Sequence, residues 1–286
     1  MGHPGAGLNP GSVFYKMSGS GNDFLFFDGR YNHLADFTPP RISALCDRRQ
    51  GAGADGVILL APEAPEGAHF TFHFWNSDGS RGPMCGNGAL CATRLSTLLE
   101  LAPPEGEVRF ATLVGLHSGR VEGGRPQIHL PDCDLPREIP QTRIEPSEKH
   151  PFLVNPSVPH LVLLVDQVEA VELERRGPPL RWDPATGEGG ANVNWVAPVG
   201  DGTFRMRTFE RGVEGETLAC GTGAVACAIV LEQLGLAKAP VRIWTRSGLP
   251  LDVGAKRTKS AITAVTLAGE GRLVYRGVIG EPANQA

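Results

Sequence analysis

Two cysteines in this chain stand in nearly identical surroundings. Residues 84–89 read Met-Cys-Gly-Asn-Gly-Ala and residues 219–224 read Ala-Cys-Gly-Thr-Gly-Ala, and each stretch leads into an apolar helical run. A thiolate can remove a proton from one side of a carbon while a second thiol delivers a proton from the opposite side, as inversion of a stereocentre requires. We therefore predict that Cys85 and Cys220 form an acid/base pair.

The residues that follow each cysteine predict an anion site. The first amides of a helix have no intrahelical acceptor, and the helix dipole makes this end positive. Glycines beside these amides let a ligand approach the backbone closely, so we expect a substrate carboxylate to bind here. The same positive end is expected to lower the pKa of the adjoining thiol from its reference value of ~8.5. One motif would then bind the anion and prepare the base.

The similarity between the two halves of the chain extends beyond the cysteines. Cys85 and Cys220 are 135 residues apart, and three further pairs of segments recur in the same order at separations of 133 to 137 residues. The pairs are 72–74 with 204–209, 53–58 with 190–195, and 108–112 with 241–245. Ordered blocks at a nearly constant offset predict two copies of one fold unit.

Short strand candidates separated by Gly, Pro, Asn and Asp turns dominate the pattern. Strands are predicted at 24–28, 57–60, 69–75, 108–112, 128–130, 161–165, 192–197, 204–209, 241–245, 262–267 and 273–279. The two principal helices are predicted at 86–99 and 221–234, and the second is apolar nearly all round, as a buried helix is. The expected fold class is α+β, with two pseudo-symmetric domains that each wrap a curved, barrel-like, mostly antiparallel sheet around a central buried helix.

Composition sets limits on the partners of the protein. The chain has 286 residues, 41% of them hydrophobic, and a net charge of −4 without charge blocks. These values predict about two domains and favour neither nucleic acid nor a membrane as a partner. The longest apolar run, 224–231, is far below the ~18 residues of a membrane span, and no signal-peptide core is visible. We expect a soluble, cytoplasmic protein with a loose Gly/Pro-rich tail at 1–12.

The remaining cysteines are predicted to be small, inert, buried thiols. They are Cys46, Cys91, Cys133 and Cys227. The chain has no C-x-x-C pair and its histidines are scattered, so no metal site is predicted. Proton transfer between two thiols, with the developing charge held by helix amides, also requires no cofactor.

Further motifs resemble the diaminopimelate epimerase family, in the same order along the chain. They are 18–24 (SGSGNDF), 53–56 (GADG), 74–80 (FWNSDGS), 85–88 (CGNG), 192–194 (NVN), 210–212 (ERG) and 220–223 (CGTG). The resemblance covers residues 13 to 280. It implies cofactor-independent conversion of LL- to meso-diaminopimelate for lysine and peptidoglycan synthesis, in the cleft of a two-domain protein. It also implies a homodimer, and domains of 13–129 plus 267–280, carrying Cys85, and 130–266, carrying Cys220.

The resemblance also implies roles for individual residues. Cys85 and Cys220 would be the acid and base, and the reacting carboxylate would be held by the amides of Gly86, Asn87, Gly221 and Thr222. Asn22 and Glu210 would contact polar groups of the substrate, including ammonium. The distal end of the substrate would be held by Asn76, Asn192 and Arg211. His160 fits a supporting position near the cleft.

The chain also departs from the family pattern at three places. Val158 stands in Ser-Val-Pro-His where relatives often have Gly-Asn-Pro-His, Gly56 stands where some members have glutamine, and Glu214 is an extra residue between Arg211 and Cys220. These departures concern recognition of the distal end more than proton transfer.

Two alternatives remain open at this point. One is a racemase of another amino acid, of the histidine or proline type, on the same scaffold. The other is a ligand-binding or thiol-switch protein in which Cys85 and Cys220 form a reversible disulfide.

Overall fold

The structure, a computed structural model, describes residues 10 to 280. Most of the predicted N-terminal tail, residues 1–9, lies outside the described residues, as do residues 281–286. The chain forms two compact units: one runs up to Ile128 and resumes at Glu270, and the other spans His129–Gly269.

The first unit contains two helices and most of its strands in a regular succession. They are β1 (Val13–Gly19), β2 (Asn22–Asp28), α1 (Pro39–Cys46), β3 (Gly56–Ala61), β4 (Phe70–Asn76), β5 (Arg81–Gly82), α2 (Gly86–Leu98), β6 (Val108–Thr112), β7 (Gly115–Glu122), β8 (Arg125–His129) and, near the C-terminus, β19 (Arg272–Val278).

The second unit repeats this succession. Its elements are β9 (Cys133–Asp134), β10 (Arg137–Glu138), β11 (Lys149–Val154), β12 (His160–Leu164), α3 (Leu173–Arg181), β13 (Asn192–Gly200), β14 (Thr203–Glu210), β15 (Gly215–Glu216), α4 (Gly221–Gln233), β16 (Val241–Trp244), β17 (Pro250–Arg257) and β18 (Ala261–Ala268).

Strand pairing is the same in both units. β2 pairs in parallel with β3 across α1, just as β12 pairs in parallel with β13 across α3. β4 runs antiparallel to β3 and parallel to β6, and β14 has the same relation to β13 and β16. The hairpins β6–β7 and β16–β17 follow. The predicted α+β fold with two similar, mostly antiparallel units is therefore confirmed.

One helix in each unit lies inside its curved sheet. α2 contacts β1, β2, β3, β7 and β19, and α4 contacts β12, β13, β14, β16, β17 and β18. Every residue of α4 from Gly223 to Leu231 is buried, as its continuous apolar sequence predicts. Both predicted helix starts are confirmed, and each predicted end is one residue too late. No described helix is long and apolar enough to cross a membrane.

Several elements were not predicted. β1, β7, β11 and β17 were missed, and so were both shorter helices. The sequence of α3 argues against a helix, because Gly177, Pro178 and Pro179 all lie inside it. Tertiary packing overrides this propensity: a Cβ on Gly177 would lie 2.2 Å from Cδ2 of Phe209, so only glycine allows α3 to approach β14 this closely.

Candidate active site

Each of the two predicted cysteines is the N-cap residue of the central helix of its unit. Cys85 precedes α2 with φ −134° and ψ 120°, and Cys220 precedes α4 with φ −119° and ψ 109°. The carbonyl oxygens accept the first helical hydrogen bonds, from Ala89 N at 2.8 Å and Ala224 N at 3.0 Å. Cys85 is half-buried and Cys220 is 6% exposed. Both side chains therefore start from the same backbone conformation at the positive end of a 13-residue helix.

The amides after each cysteine have the arrangement of an anion site. Gly86 and Asn87 are the first two residues of α2, and Gly221 and Thr222 are the first two of α4. Amides at these positions have no acceptor within the helix, and neither cysteine side chain caps them. Each helix can thus present backbone donors to a carboxylate beside its thiol.

The third residue of each helix is glycine for a packing reason. A Cβ on Gly88 would lie 2.9 Å from Cδ1 of Ile58. A Cβ on Gly223 would lie 2.5 Å from Oδ1 of Asn194 and 3.2 Å from Sγ of Cys220. Gly88 thus lets the start of α2 pack tightly against β3, and Gly223 lets the start of α4 pack tightly against β13. The sequence alone had predicted that these glycines serve the close approach of a ligand.

A hydrogen-bonded chain of buried polar side chains leads to Cys220. His160, fully buried at the start of β12, has its Nε2 3.0 Å from Oγ1 of Thr222 and its Nδ1 3.0 Å from Nδ2 of Asn194. The Thr222 hydroxyl lies 3.7 Å from Sγ of Cys220. Oδ1 of Asn194 accepts from Thr208 at 2.9 Å.

The direction of these hydrogen bonds follows from one backbone acceptor. Nδ2 of Asn194 donates to the Leu161 carbonyl at 3.1 Å, which orients the amide and makes Nδ1 of His160 an acceptor. The proton of the neutral imidazole is then on Nε2 and is donated to Thr222. Thr222, having accepted this bond, can donate its own proton to the sulfur of Cys220. Burial, and then the positive charge of Arg211, lower the pKa of His160 to about 3, so the ring is neutral.

Asn192 and Arg211 are brought together at one edge of the second unit. The backbone N–H of Arg211 donates to Oδ1 of Asn192 at 2.7 Å, and Nδ2 of Asn192 lies 3.4 Å from Nε2 of His160. Asn192 is buried, and Arg211 is half-buried. Within residues 10–280 the guanidinium of Arg211 takes part in no ion pair.

Glu210, the neighbour of Arg211, is half-buried. It ends β14, and burial raises the pKa of its carboxyl group. No salt bridge involving Glu210 is formed in the described part of the chain. A desolvated carboxylate without a cationic partner is a common property of ligand-binding sites.

In the first unit, Asn22 connects Asn87 to a cluster of charged residues. Nδ2 of Asn87 donates to Oδ1 of Asn22 at 2.7 Å, and Nδ2 of Asn22 donates to a carboxylate oxygen of Asp55 at 3.0 Å. Arg48 binds both Asp55, at 2.7 Å, and Asp23, at 2.7 and 3.0 Å. Asn22 is therefore a link between β2 and the start of α2, in addition to its predicted contact with substrate.

The charges in this cluster hold Asp23 ionised. Burial alone would raise the pKa of Asp23, but hydrogen bonds from Arg48 and Lys16 outweigh it and lower the pKa to about 2. Lys16 forms a 2.6 Å ion pair with Asp23 and also donates to the Gly53 carbonyl. The loop at 53–56 is thereby attached to β1 and β2.

Asn76 is the exposed last residue of β4 in the first unit. Its Nδ2 donates to Oγ of Ser80 at 2.9 Å, and it faces Gly56 across the β3–β4 pair. A Cβ on Gly56 would lie 2.6 Å from the Trp75 carbonyl oxygen. The surrounding atoms thus leave no room for a side chain at position 56.

Sequence reasoning missed four residues that support these side chains: Asn194, Thr208, Asp55 and Arg48. The signal for Asn194 was present, because Asn192 and Asn194 are two apart and share a face of β13. Thr208 could be found only from the register, in which it lies opposite Asn194.

The other cysteines lie away from these helix starts or deeper in the core. Cys91 and Cys227 are fully buried inside α2 and α4, and burial raises the pKa of both thiols. Burial also raises the pKa of Cys46 to about 12. Cys133 is half-buried rather than buried. Among residues 10–280, no three His, Cys, Asp or Glu side chains are grouped so that they could hold a metal ion.

Comparison with known proteins identifies the family. The family model described as "Diaminopimelate epimerase" matches residues 14–123 and 152–269. The chain is 44% identical over 276 residues to a diaminopimelate epimerase of Gemmatimonas aurantiaca, covering 93% of this chain and 98% of the relative. It is 40% identical over 279 residues to a diaminopimelate epimerase of Aquifex aeolicus, covering 94% and 98%.

Solved structures share the fold at low sequence identity. A phenazine biosynthesis protein of the PhzF family from Bacillus anthracis matches with a TM-score of 0.69 at 10% identity, covering 94% of this chain and 98% of that chain. A hydroxyproline epimerase from Agrobacterium vitis matches with a TM-score of 0.65 at 16% identity, covering 96% and 94%. The extent of the family match and the identity to its curated members establish that this chain belongs to the diaminopimelate epimerase family.

Proposed function

We propose that the protein converts LL-2,6-diaminopimelate to meso-diaminopimelate by inverting one Cα, without a cofactor, and that Cys85 and Cys220 are the two acid/base groups. The observation that carries this proposal is that both cysteines are the N-cap residues of 13-residue helices and have similar backbone conformations. Inversion requires a proton acceptor on one face of the carbon and a proton donor on the other. A duplicated thiol-bearing helix start is a direct way to supply both.

The proposed reaction has two coupled proton transfers. The thiolate takes the α-proton, and the electron pair of the broken C–H bond spreads onto the adjoining carboxylate. The other thiol then gives its proton to the opposite face of Cα. The amides of Gly86, Asn87, Gly221 and Thr222 hold the carboxylate while its charge grows. A positioned acid/base contributes about 10²–10⁴-fold and each preorganised donor about 3–4 kcal/mol, so the amides are as important as the thiols.

The hydrogen bonds that connect Asn194, His160 and Thr222 stabilise the thiolate of Cys220. Thr222 accepts from His160 and can therefore donate its hydroxyl proton to the sulfur at 3.7 Å. We propose that His160 is a positioning residue: it sets the direction of the Thr222 hydroxyl and does not itself exchange a proton with substrate.

The distal end of the substrate is a second amino-acid group, with a carboxylate and an ammonium. Binding it therefore needs a cationic and an anionic partner in the protein. We propose that Arg211, with Asn192 and Asn76, binds this distal end, and that Glu210 and Asn22 contact polar groups of the substrate, including ammonium. The absence of an ion pair at Arg211 and Glu210 among residues 10–280 supports this assignment. Arg211 can present two parallel N–H donors to a carboxylate.

The decisive experiment follows deuterium incorporation from D₂O into LL-diaminopimelate. The wild type should incorporate one deuterium at the inverted Cα, while Cys85→Ala and Cys220→Ala should each lose turnover. Cys133→Ala, which removes a half-buried thiol, is the matched control and should retain activity. Full turnover in either of the first two variants would contradict the two-thiol mechanism. Racemisation of histidine or proline with diaminopimelate inert would instead identify another amino-acid racemase.

We further propose a cytoplasmic homodimer that acts on this small amino-acid substrate and has neither nucleic acid nor membrane as a partner. The net charge of −4 is consistent with this proposal. Light scattering of the purified protein should give twice the monomer mass of 30.4 kDa.

A further inference from the structure

Arg181, a buried residue outside the predicted site, joins two segments that carry proposed substrate contacts. It is the last residue of α3, and its side chain is 5% exposed. Its Nη1 donates to the Gly189 carbonyl at 2.9 Å, and its Nε donates to Oε1 of Glu214 at 3.2 Å. The guanidinium also lies 4.0 Å from the ring centroid of Trp182.

The first of these segments, residues 187–191, leads into β13 and Asn192. The Ala191 N–H donates to the carbonyl of Arg181 at 3.1 Å. Gly190 has φ +62°, and a Cβ there would lie 2.2 Å from both Nη1 and the carbonyl oxygen of Arg181. The segment is therefore packed directly against Arg181, and the placement of Asn192 depends on it.

The second segment, residues 210–214, carries Glu210 and Arg211. Glu214, the residue identified above as an insertion, adopts a left-handed conformation with φ +56°. Its N–H donates to the Glu210 carbonyl at 2.8 Å, and its Oε1 accepts from Gly212 N at 3.0 Å. The Gly212 N–H and the charge of Arg181 lower the pKa of Glu214. The inserted residue thus closes the loop on itself and connects it to Arg181.

The two segments also meet at Arg211. Its backbone N–H donates to Oδ1 of Asn192 at 2.7 Å. A Cβ on Gly189 would lie 3.4 Å from Nη1 of Arg211, so the side chain of Arg211 passes the same residue whose carbonyl binds Arg181. The Arg181 guanidinium therefore holds the backbone before Asn192 at Gly189 and holds the loop after Arg211 through the side chain of Glu214.

We infer that Arg181 and Glu214 are positioning residues that determine recognition of the distal end of the substrate. This inference rests on the proposed function, in which Arg211 and Asn192 bind that end. The planar guanidinium of Arg181 can donate to Gly189 and Glu214 in fixed directions, which a lysine ammonium on a flexible stem cannot reproduce. Glu214 thus anchors the loop of residues 210–214 to Arg181.

The inference predicts an effect on substrate affinity and not on chemistry. Contacts to the distal end are the same before and during proton transfer, so their loss raises KM and leaves kcat unchanged. We expect Glu214→Ala to raise KM for LL-diaminopimelate about ten-fold with kcat within about two-fold; ten-fold corresponds to about 1.4 kcal/mol. Glu214→Gln, whose amide oxygen can still accept from Gly212 and Arg181, should remain within about three-fold of the wild-type KM.

Glu188→Ala is the matched control, because Glu188 is an exposed carboxylate in the first segment. It should leave KM unchanged. Arg181→Lys should raise KM as Glu214→Ala does. If the substitution at the buried Arg181 prevents folding, Glu214→Ala still provides the test, because the side chain of Glu214 is 45% exposed. The rate of Cys220 alkylation by iodoacetamide should be the same in the wild type and Glu214→Ala.

Two results would overturn the inference. One is a KM of the Glu214→Ala variant that equals the KM of the wild type. The other is a loss of kcat accompanied by altered alkylation of Cys220, which would show general damage to the unit. Failure of the wild-type protein to invert diaminopimelate would refute the proposed function itself. This result is distinguishable from failure of the inference about Arg181 and Glu214, because it is seen before any variant is compared.

Discussion

His160 should make the second unit sensitive to acid, and His160→Gln should remove that sensitivity. The pKa of His160 is lowered to about 3 in the folded protein, mainly by burial, from an ordinary value of 6.5. Below pH 6.5 the unfolded chain therefore binds a proton at this residue that the folded chain refuses. Stability contributed by the neutral ring is present above pH 6.5 and is lost as the pH falls towards 3.

The size of the effect follows from the two pKa values. At about 1.4 kcal/mol per pKa unit, lowering the pH from 7 to 4 should cost the wild type about 3 kcal/mol through His160 alone. Glutamine can preserve the hydrogen bonds, accepting from Asn194 and donating to Thr222, but it does not titrate. The free energy of unfolding of His160→Gln, relative to the wild type, should therefore rise by about 3 kcal/mol over this pH range.

Urea unfolding at both pH values, followed by tryptophan fluorescence, measures this difference. Trp182, Trp195 and Trp244 all belong to the second unit, so the signal reports mainly on it. His150→Gln, which removes a half-exposed histidine from the same unit, controls for the loss of a histidine as such. If the wild type and His160→Gln lose the same free energy between pH 7 and pH 4, the reasoning about a buried neutral ring is wrong.

Two further predictions test the start of α4 and the start of β3. Thr222→Val keeps the shape of the side chain but removes its hydroxyl, so the alkylation rate of Cys220 at neutral pH should fall about ten-fold, since a hydrogen bond to a charged group is worth about 1.5 kcal/mol or more. Alkylation of Cys85 in the same sample should be unchanged, and an unaltered rate at Cys220 would refute the hydroxyl contact. Gly56→Ala should lower the free energy of unfolding by about 1–3 kcal/mol, because the new Cβ meets the Trp75 carbonyl at 2.6 Å. Gly280→Ala, with no atom within 4 Å of the added Cβ, is its control in thermal unfolding, and equal stability of the two variants would contradict the packing argument.

The elements around the cysteines could be predicted because local sequence determines them. A cysteine followed by glycines and a continuous apolar run places the start of α2 and α4 correctly, and the fourteen-residue predictions exceed the observed helices by one residue each. The internal repeat predicted two copies of one fold unit, and the two units share one succession of elements. These features depend on neighbouring residues and require no knowledge of tertiary contacts.

The elements that were missed depend on contacts between distant residues. The glycine and the two prolines inside α3 disfavour a helix, and tertiary contacts offset them: Gly177 packs against Phe209, and Arg176 forms a buried ion pair with Glu148 at 2.6 Å. The support of His160 by Asn194 depends in the same way on the register of β13. Motif resemblance could name His160, but the direction of its hydrogen bonds needed the position of the Leu161 carbonyl.

The two units use the same backbone but opposite hydrogen-bond directions beside their cysteines. In each unit the first residue of the strand before the crossover, Asn22 in β2 or His160 in β12, bonds to the side chain of the second residue of the central helix. In the first unit Asp55 orients Asn22, so Asn87 is the donor; in the second unit the Leu161 carbonyl orients the network, so Thr222 is the acceptor.

This difference follows from the side chains at equivalent positions and not from the fold. Because Thr222 accepts from His160, its hydroxyl proton is free to be donated to Cys220, whereas a side-chain amide proton of Asn87 is donated to Asn22. Gene duplication of one unit can thus supply two equivalent helix starts for the two faces of a carbon, while divergence at these positions distinguishes the thiol environments. The two thiols must exchange the roles of acid and base between the forward and the reverse reaction. They therefore need equivalent positions and different environments, which two helices of equal length with different second residues provide.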